Sequence, residues 1–324
     1  MTLLLAALFV VQTDPARAGP YEVVVETQPW RDESRNRNLR TEIWRPKDLP
    51  LGVRAPIVVF SHGFAGTRLQ SRFICSHLAS HGYVVASPDH AGNTFMDLNI
   101  FKAHQSARDR PHDLRVVLDK LGEAARDPGN ALFGRLDDRR CAAIGHSFGG
   151  YTALAAAGAW LDLRSKKANG ELKPTDPDYI DFNDPRFVAA VAHAPVMSPF
   201  LTADSLREVV KPVLILVGSR DAQASPKLHS QPLFDSLHGL RHLGVIDGAT
   251  HFNFMDEAFI KAAPIVVRLA HFPRIERQAS DDLILRQTTA FLERHLRGST
   301  RYDHWLSCRQ DRLEWKSAIG PSKR

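Results

Sequence analysis

The feature that most constrains the fold of this chain is the segment Gly145 to Gly149, which reads Gly-His-Ser-Phe-Gly. It follows the short apolar run Arg140 to Ile144 and precedes a stretch of small residues that favours a helix. A sharp turn between a strand and a helix needs glycines where a side chain would collide with neighbouring backbone. In such a nucleophile elbow the central serine takes a strained backbone conformation. The pattern therefore predicts that Ser147 is a nucleophile, with the dipole of the following helix directed at the developing negative charge.

Short β-rich runs alternate with helical patterns from residue 56 onward. This alternation is typical of a mostly parallel sheet with helices on both faces, so we expect a doubly wound α/β architecture. Two earlier strands, Tyr21 to Glu26 and Leu39 to Trp44, are predicted to form an antiparallel hairpin at one edge. Core strands are predicted at 57–61, 83–87, 140–144, 188–193, 213–217 and 242–246, and helices at 69–81, 107–125, 148–161, 226–237 and 281–297.

No linker, internal repeat or low-complexity tract divides the chain, which we expect to form one domain over residues 19–300. The segment 164–185 is rich in Asp, Pro and Lys and lacks periodicity. It is interpreted as an excursion from the sheet, either a partial lid or a solvated surface loop. Residues 301–324 have a modest excess of basic residues and are interpreted as a basic C-terminal tail.

The N-terminus contains an apolar run, Leu3 to Val11, followed by the small-x-small sequence Ala16 to Ala18. This is the pattern of a signal peptide of residues 1–18 that is cleaved before Gly19, although no Lys or Arg precedes the apolar run. We therefore expect the protein to be secreted or periplasmic. If the segment is only an N-terminal extension, we expect the protein to be cytoplasmic. The apolar run is too short to span a bilayer, which needs about 20 residues.

The net charge of +6 comes from arginines scattered along the chain, without a run of like charges interleaved with aromatic residues. This distribution does not indicate nucleic-acid binding. The segment Phe259 to Phe272 clusters apolar side chains beside basic ones, so it is predicted either to pack on the core as a helix or to make transient contact with a membrane surface. The three cysteines, Cys75, Cys141 and Cys308, lack the spacing of a zinc site.

The run Ile57 to Gly66 is predicted to be a buried strand that leads into a glycine-containing loop. A tetrahedral intermediate of acyl transfer needs two N–H donors for its negatively charged oxygen. One donor belongs to the residue after the nucleophile, here Phe148, and the other to the loop after this strand, here Phe64. Gly63 would permit close approach of the backbone, whereas His62 is interpreted as a structural residue.

The order of residues along the chain narrows the choice of base and acid. After a nucleophile elbow of this type, the acid comes next in the chain and the histidine last. His251 lies in the loop after the strand that ends at Ile246, so it is predicted to be the base. Asp221 follows the preceding strand and is predicted to hold the Nδ1 proton of His251. Asp247 and Asp256 lie nearer to His251 in sequence and are alternatives for the acid.

Four segments give the chain a resemblance to known families: Phe60 to Gly63, Leu78 to Gly82, Gly145 to Gly150, and His251 to Asp256. Over roughly residues 56–256 the sequence resembles the dienelactone-hydrolase-like branch of the α/β-hydrolases and, more narrowly, the platelet-activating-factor acetylhydrolases. The resemblance implies the α/β-hydrolase fold and hydrolysis of short acyl or phospholipid-type esters. It also implies nucleophile, base and oxyanion roles for the residues predicted above.

The chain departs from the animal acetylhydrolases at one position. Their acid follows the strand one earlier, where this sequence has His193. The turn from Asp221 to Pro226 instead resembles the acid turn of dienelactone hydrolases and bacterial polyester hydrolases. Dienelactone hydrolases use a cysteine nucleophile, and Ser147 takes that position here. Neither phospholipid acetyl groups nor lactones therefore follow as specific substrates.

These patterns together predict a serine hydrolase of carboxylic esters. His251 would deprotonate Ser147 for attack on the ester carbonyl, and water activated by the same histidine would release the acid from the acyl-enzyme. This chemistry needs neither a metal nor a cofactor, and the expected substrate is a small-molecule or lipid ester. Two alternatives remain: a non-catalytic binding protein on the same fold, and a peptidase or amidase with the same triad.

Overall fold

The computed structural model describes residues 14–197, 201–262 and 272–321 of the 324-residue chain. The apolar run Leu3 to Val11 lies outside the described residues, as does most of the segment Phe259 to Phe272. Within the described ranges, no helix is both long and apolar enough to cross a bilayer.

The secondary structure follows the predicted alternation of strands and helices. The strands are β1 (Val23–Asp32), β2 (Arg37–Pro46), β3 (Ala55–Ser61), β4 (Val84–Pro88), β5 (Leu136–His146), β6 (Leu161–Asp162), β7 (Tyr179–Ile180), β8 (Phe187–His193), β9 (Val213–Gly218), β10 (Arg241–Ile246) and β11 (Leu313–Ala318). The α-helices of the described residues are α1 (Arg72–Ser80), α2 (Ala103–Arg126), α3 (Phe148–Ala156), α4 (Arg164–Ala168), α5 (Ala203–Arg207), α6 (Gln231–Ser236), α7 (Glu257–Ala262) and α8 (Arg277–Arg297).

One large mixed sheet organises the described part of the chain, in the order β1-β2-β4-β3-β5-β8-β9-β10-β11. The strands from β4 to β10 in this order are mutually parallel. At one edge β1 and β2 form the predicted antiparallel hairpin, and at the other β11 pairs antiparallel with β10. Helices α1 and α8 cover one face, and α2 and α3 cover the other. The predicted α/β-hydrolase architecture is confirmed.

The central strand β3 separates the two apolar layers because its side chains alternate between the faces of the sheet. Val58 and Phe60 belong to the cluster that contains the apolar residues of α1, whereas Ile57 and Val59 pack with those of α2. Every residue of β3 is buried. A parallel strand covered on both faces has this near-continuous burial, and its carboxyl end is directed at the edge where the site forms.

The sheet extends beyond residue 300, where the sequence predicted the domain to end. Strand β11 pairs from Leu313 with Ile246 to Ala318 with Arg241. Arg241 is buried and donates from Nη1 to the carbonyl of Gly320 over 2.7 Å. Within β11 only Leu313 is buried. The amino-acid composition of this strand therefore resembles that of a solvated tail, although its backbone forms the last strand of the sheet.

The excursion at residues 164–185 is anchored to the domain at both ends. The short antiparallel pair β6 and β7 brackets its first part. Phe182 is buried and lies edge-on to His112, with the ring centres 5.1 Å apart. The pKa of His104 is lowered by burial and by the nearby charge of Lys166, so the excursion lies beside the first turn of α2. Its role as a lid stays a prediction.

The residues around the predicted cleavage sequence pack against α1 and α8. Asp14 accepts hydrogen bonds of 2.8 and 2.6 Å from the guanidinium of Arg286. The N–H of Gly19 donates to Ser80 Oγ over 2.9 Å. Residues 14–19 are therefore fixed to the folded domain by specific contacts.

Candidate active site

The turn at Gly145 to Gly149 joins β5 to α3 as a nucleophile elbow. Ser147 lies in the turn with φ 57° and ψ −117°, a backbone conformation that residues with a side chain rarely adopt. A Cβ on Gly145 would lie 2.0 Å from the carbonyl oxygen of Gly149, and a Cβ on Gly149 would lie 1.9 Å from that of Ser61. Close approach of backbone segments thus requires both glycines, for the reason that the sequence predicted. The turn places Ser147 at the carboxyl edge of the sheet, where 8% of it is exposed.

Asp221 and His251 reach the same edge from the neighbouring strands β9 and β10. The Nδ1 of His251 lies 2.8 Å from Asp221 Oδ2, and both residues are buried. The other carboxylate oxygen, Oδ1, accepts the N–H groups of Gln223 and Ala224 over 2.9 and 2.6 Å. Because an ionised carboxylate only accepts hydrogen bonds, Nδ1 of His251 carries the proton and Nε2 is the nitrogen left to accept one.

The two alternative acids are engaged elsewhere in the described part of the chain. Asp247 is exposed and accepts a hydrogen bond of 3.2 Å from Ser219 Oγ. Asp256 accepts the N–H of Phe73 over 3.2 Å, and burial raises the pKa of its carboxyl. Of the three candidate acids, Asp221 is the one that the structure brings into hydrogen-bond contact with the histidine.

The residue before the nucleophile, His146, joins three loops of the site. Its Nε2–H donates to the carbonyl of His251 over 2.9 Å, and its Nδ1 accepts from Gln70 Nε2 over 2.9 Å. The amide oxygen of Gln70 accepts the N–H of Gly63 over 3.0 Å. The rings of His146 and His251 lie 4.6 Å apart and are tilted by 48°. Because His146 directly precedes Ser147, these contacts hold the loop of His251 against the turn that carries the nucleophile.

The loop after β3 passes directly against the nucleophile. A Cβ on Gly63 would lie 3.4 Å from the Cβ of Ser147. Since the N–H of Gly63 is bonded to Gln70, the next N–H along this loop is that of Phe64. The rings of Phe64 and Phe148 lie 6.4 Å apart, so the two residues predicted to bind the oxyanion are neighbours.

His62 has the structural role that the sequence indicated. Its Nδ1–H donates to the carbonyl of Gly63 over 2.7 Å, and its Nε2 accepts the N–H of His90 over 3.1 Å. Burial lowers the pKa of His62 well below its ordinary value, so the ring is neutral. Both ring nitrogens therefore shape the backbone of the loop.

The sequence matches the family model of platelet-activating factor acetylhydrolase, isoform II, over residues 34–127 and 127–314. The chain belongs to this family. The resemblance to the acetylhydrolases that the motifs indicated is thereby confirmed, and the matched residues include the whole of the site described above.

Curated relatives include an acetylhydrolase and cutinases. A platelet-activating factor acetylhydrolase of Cavia porcellus is 24% identical over 294 residues, which are 80% of this chain and 62% of that protein. Cutinase est2 of Thermobifida alba is 28% identical over 197 residues, 60% of this chain and 52% of the cutinase. Cutinase 2 of Thermobifida cellulosilytica is 26% identical over 251 residues, 77% of this chain and 71% of the cutinase. The chain thus spans only 62% and 52% of the length of the first two.

In this member of the acetylhydrolase family, His193 supports the elbow through its backbone. Its carbonyl accepts the N–H of Ser147 over 2.8 Å. The side chain is fully buried, its Nε2 lies 3.1 Å from Thr288 Oγ1, and burial lowers its pKa to about 3. A buried neutral imidazole cannot supply the negative charge that a carboxylate gives to a base, so the position does not replace the acid.

A second Ser-His-Asp series of hydrogen bonds lies beneath the loop after β3, and sequence reasoning missed it. Ser61 Oγ lies 2.9 Å from His90 Nε2, and His90 Nδ1 lies 2.9 Å from Asp113 Oδ2. All three residues are 0% exposed, and Asp113 also forms ion pairs with Arg35 and Arg37 over 2.8 and 3.0 Å. Because Ser61 is fully buried, the carbonyl group of a substrate cannot reach it, whereas Ser147 is partly exposed. The series at Ser61 is therefore structural.

The described residues also settle the placement of the cysteines. Cys75 and Cys141 are buried, Cys308 is half-buried, and all three are free. Cys141 is a core residue of β5, and burial raises the pKa of its thiol to about 12. In the described ranges, no group of three or more His, Cys, Asp or Glu side chains is arranged to hold a metal ion.

Proposed function

We propose that this protein is a serine hydrolase that cleaves carboxylic esters. The observation that carries the proposal is the hydrogen bond between Asp221 and His251, held beside the strained turn at Ser147. Membership of the acetylhydrolase family supports an ester as the substrate, as does the similarity to cutinases. A short apolar ester, free or part of a lipid, is the substrate class that we infer.

In the proposed mechanism, His251 Nε2 takes the proton of Ser147 Oγ as the oxygen attacks the ester carbonyl. Asp221 stabilises the imidazolium that forms, and the N–H groups of Phe64 and Phe148 bind the oxyanion. The carbon–oxygen bond to the alcohol then breaks, and His251 returns the proton to the departing oxygen. Water, deprotonated by the same histidine, attacks the acyl-enzyme and releases the carboxylic acid and free Ser147.

An exposed group of large apolar side chains beside the proposed oxyanion loop supports an apolar substrate. We call it the apolar rim; it consists of Phe64, Phe95, Met96, Ile100 and Phe101. A backbone bridge between Ala65 and Thr94 joins the two loops that carry it. Exposed apolar side chains clustered at a site are typical of surfaces that bind apolar ligands. We infer that the acyl or alcohol group of the ester contacts this rim.

We also propose that the apolar rim makes transient contact with a membrane surface. Phe259 begins the segment that is predicted either to pack on the core or to contact a membrane, and its ring lies 6.5 Å from that of Phe95. Binding to liposomes measured by sedimentation tests this proposal, and a protein that stays in the supernatant with every lipid composition would contradict it.

Export remains our proposal from the signal-like residues 1–18, to be tested by cell fractionation and sequencing of the mature N-terminus.

The proposed activity is tested with p-nitrophenyl butyrate and a fluorophosphonate probe. We expect the purified protein to hydrolyse the ester and to bind the probe covalently at one serine. Peptide mapping should locate the probe at Ser147 and not at the buried Ser61. Hydrolysis that persists unchanged in the Ser147→Ala variant would overturn the proposal, as would labelling of Ser61.

The same preparation distinguishes the two alternatives. A binding protein without catalytic activity would leave both the ester and the probe unchanged. A peptidase or amidase would hydrolyse the anilide of butyric acid at a rate comparable with that of the ester. We expect a strong preference for the ester, in line with the ester hydrolases among the relatives.

A further inference from the structure

Arg110 is a fully buried arginine on α2 that the proposed mechanism does not use. Its Nη2 donates to the backbone carbonyl of His62 and, over 3.0 Å, to Ser61 Oγ. Its Nη1 donates to Asn93 Oδ1 over 2.5 Å. The guanidinium thus binds the end of β3 at the point where the oxyanion loop begins.

The same guanidinium contacts the helix that follows the nucleophile. Its central carbon lies 4.6 Å from the centre of the Phe148 ring, over the ring face. Its Nε donates to Thr152 Oγ1 over 3.1 Å, and this hydroxyl donates to the carbonyl of Phe148 over 3.1 Å. Arg110 therefore bonds to both chain segments that carry the proposed oxyanion donors.

A buried guanidinium is stable only if other groups compensate its charge and accept its hydrogen bonds. Removing a charge from water costs several kcal/mol, which is offset only where hydrogen bonds and nearby charges compensate. Burial lowers the pKa of the Arg110 guanidinium to about 9, and the nearby charge of Asp113, one turn further along α2, opposes this shift. The planar fork of arginine fixes its partners in distance and direction, whereas lysine presents a single flexible ammonium group. Replacing Arg110 should therefore change geometry as well as stability.

We propose that Arg110 is a positioning residue that sets the separation between the N–H groups of Phe64 and Phe148. The two donors belong to different elements, the loop after β3 and the start of α3. An oxyanion hole works only when both donors lie about 2.7–3.1 Å from the developing charge. Arg110 is bonded two residues before Phe64 and packs on Phe148 itself, so it holds the two at a fixed distance. This inference rests on the proposed ester hydrolysis.

The test compares Arg110→Lys with a matched variant, Arg297→Lys. Arg297 makes the same kinds of contact, since it donates to the carbonyls of His81 and Gly82 over 2.9 Å each and lies 4.2 Å over the ring of Tyr83. These contacts lie at the amino end of β4, on the edge of the sheet opposite to the site. Both variants should unfold at a lower temperature than the wild type, which controls for a general loss of stability.

Only Arg110→Lys should impair the chemical step. Deleting an oxyanion donor typically costs about 100- to 1000-fold in kcat, so a displaced donor should cost roughly 10- to 100-fold, with little change in KM. Affinity for n-butylboronic acid, which forms a tetrahedral adduct with the serine, should fall in parallel, whereas affinity for butyrate should not. Unchanged kcat and boronate affinity in Arg110→Lys, or equal losses in Arg297→Lys, would overturn the inference.

A milder variant keeps the test decisive if Arg110→Lys does not fold. Thr152→Val removes the hydroxyl that accepts a hydrogen bond from Arg110 Nε. The guanidinium keeps its charge, and valine keeps the shape of threonine. We expect a several-fold fall in kcat and in boronate affinity, and unchanged values would count against the inference. A wild type without esterase activity would instead refute the proposed function. An active wild type with unaffected variants refutes the role of Arg110 alone.

Discussion

The Nε2–H of His146 donates to the backbone carbonyl of His251 over 2.9 Å, so the residue that precedes the proposed nucleophile also holds the loop that carries the proposed base. The opposite ring nitrogen accepts from Gln70, whose amide oxygen binds the N–H of Gly63. One neutral imidazole and one amide thus join the three loops of the site. Their hydrogen bonds are satisfied by a single tautomer of His146, with the proton on Nε2.

Replacing Gln70 with leucine tests this network. The change removes the donor to His146 Nδ1 and leaves the N–H of Gly63 without its acceptor, so we expect kcat for p-nitrophenyl butyrate to fall about tenfold or more, the cost of at least one buried hydrogen bond. Gln278→Leu is the control, since its amide bonds to Asp282 on the exposed surface of α8. Equal kcat values for the two variants would show that the network does not position the site.

The Asp221→Asn variant tests the acid. The asparagine amide can donate a hydrogen bond to Nδ1 of His251 and so favour the tautomer that carries its proton on Nε2. This tautomer cannot take the proton of Ser147, and the corresponding change reduces kcat by roughly 10⁴-fold in serine proteases. We expect a loss of this order in steady-state rates. Asp247→Asn should keep the wild-type rate, because Asp247 is exposed and bonded to Ser219. A larger loss in the Asp247 variant would reverse the assignment.

Local patterns in the sequence were enough to predict the fold and the elbow. The need for Gly145 and Gly149 follows from the geometry of any strand-turn-helix elbow, and Asp221 and His251 follow from their order after Ser147. Gln70, the contacts of His146 and Arg110 could not be predicted in this way, because their hydrogen bonds join segments far apart in the chain. Their residue types alone do not indicate burial.

Other differences from the sequence prediction have local causes. The helix predicted at 148–161 ends at Ala156, because the chain turns at Gly158, where φ is 126°. The two strands of the edge hairpin were predicted at Tyr21 to Glu26 and Leu39 to Trp44, but the polar residues between them extend both strands, with a turn that includes Asn36 at φ 52°. The polar face of an edge hairpin has the same composition as a loop.

The apolar rim gives a prediction about the length of the acyl chain that the enzyme prefers in its ester substrate. Phe101 is 93% exposed, so Phe101→Ser should leave the fold intact and reduce the rate on p-nitrophenyl octanoate more than the rate on the acetate. Leu51 is 92% exposed in the loop before β3, at the other edge of the sheet, and Leu51→Ser is the matched control. A ratio of octanoate to acetate rates that is the same in both variants and the wild type would rule out contact between the rim and the acyl chain.

Buried histidines determine the expected response of stability to acid. Burial lowers the pKa of His193 to about 3 and the pKa values of His77 and His242 to about 4. Between these values and about 6.5, the unfolded chain binds more protons than the folded one. The free energy of unfolding should therefore be greatest above pH 6.5 or so and decrease as the pH falls toward 4. Urea unfolding at several pH values measures this, and a flat profile would contradict it.

Removal of residues 1–18 should destabilise the domain more than removal of residues 1–13. The longer deletion eliminates the ion pair of Asp14 with Arg286 and the hydrogen bond of His77 to the carbonyl of Pro15. A loss of about 1–2 kcal/mol would lower the melting temperature by roughly 2–8 °C. Calorimetry of the two truncated proteins measures the difference, and equal melting temperatures would show that this docked segment adds no stability.

Strand β11 also has a consequence for how separate molecules behave toward one another. Its pairing with β10 covers a row of backbone N–H and C=O groups that would otherwise lie open at the edge of the sheet. Open edges of this kind are templates for strands of other molecules and lead to aggregation. At the far edge β1 carries Pro29 and alternating exposed residues, which discourage such pairing. β11 is itself the outer strand at this edge, and its exposed Glu314 and Lys316 place charges of both signs there, which discourages pairing with strands of neighbouring copies.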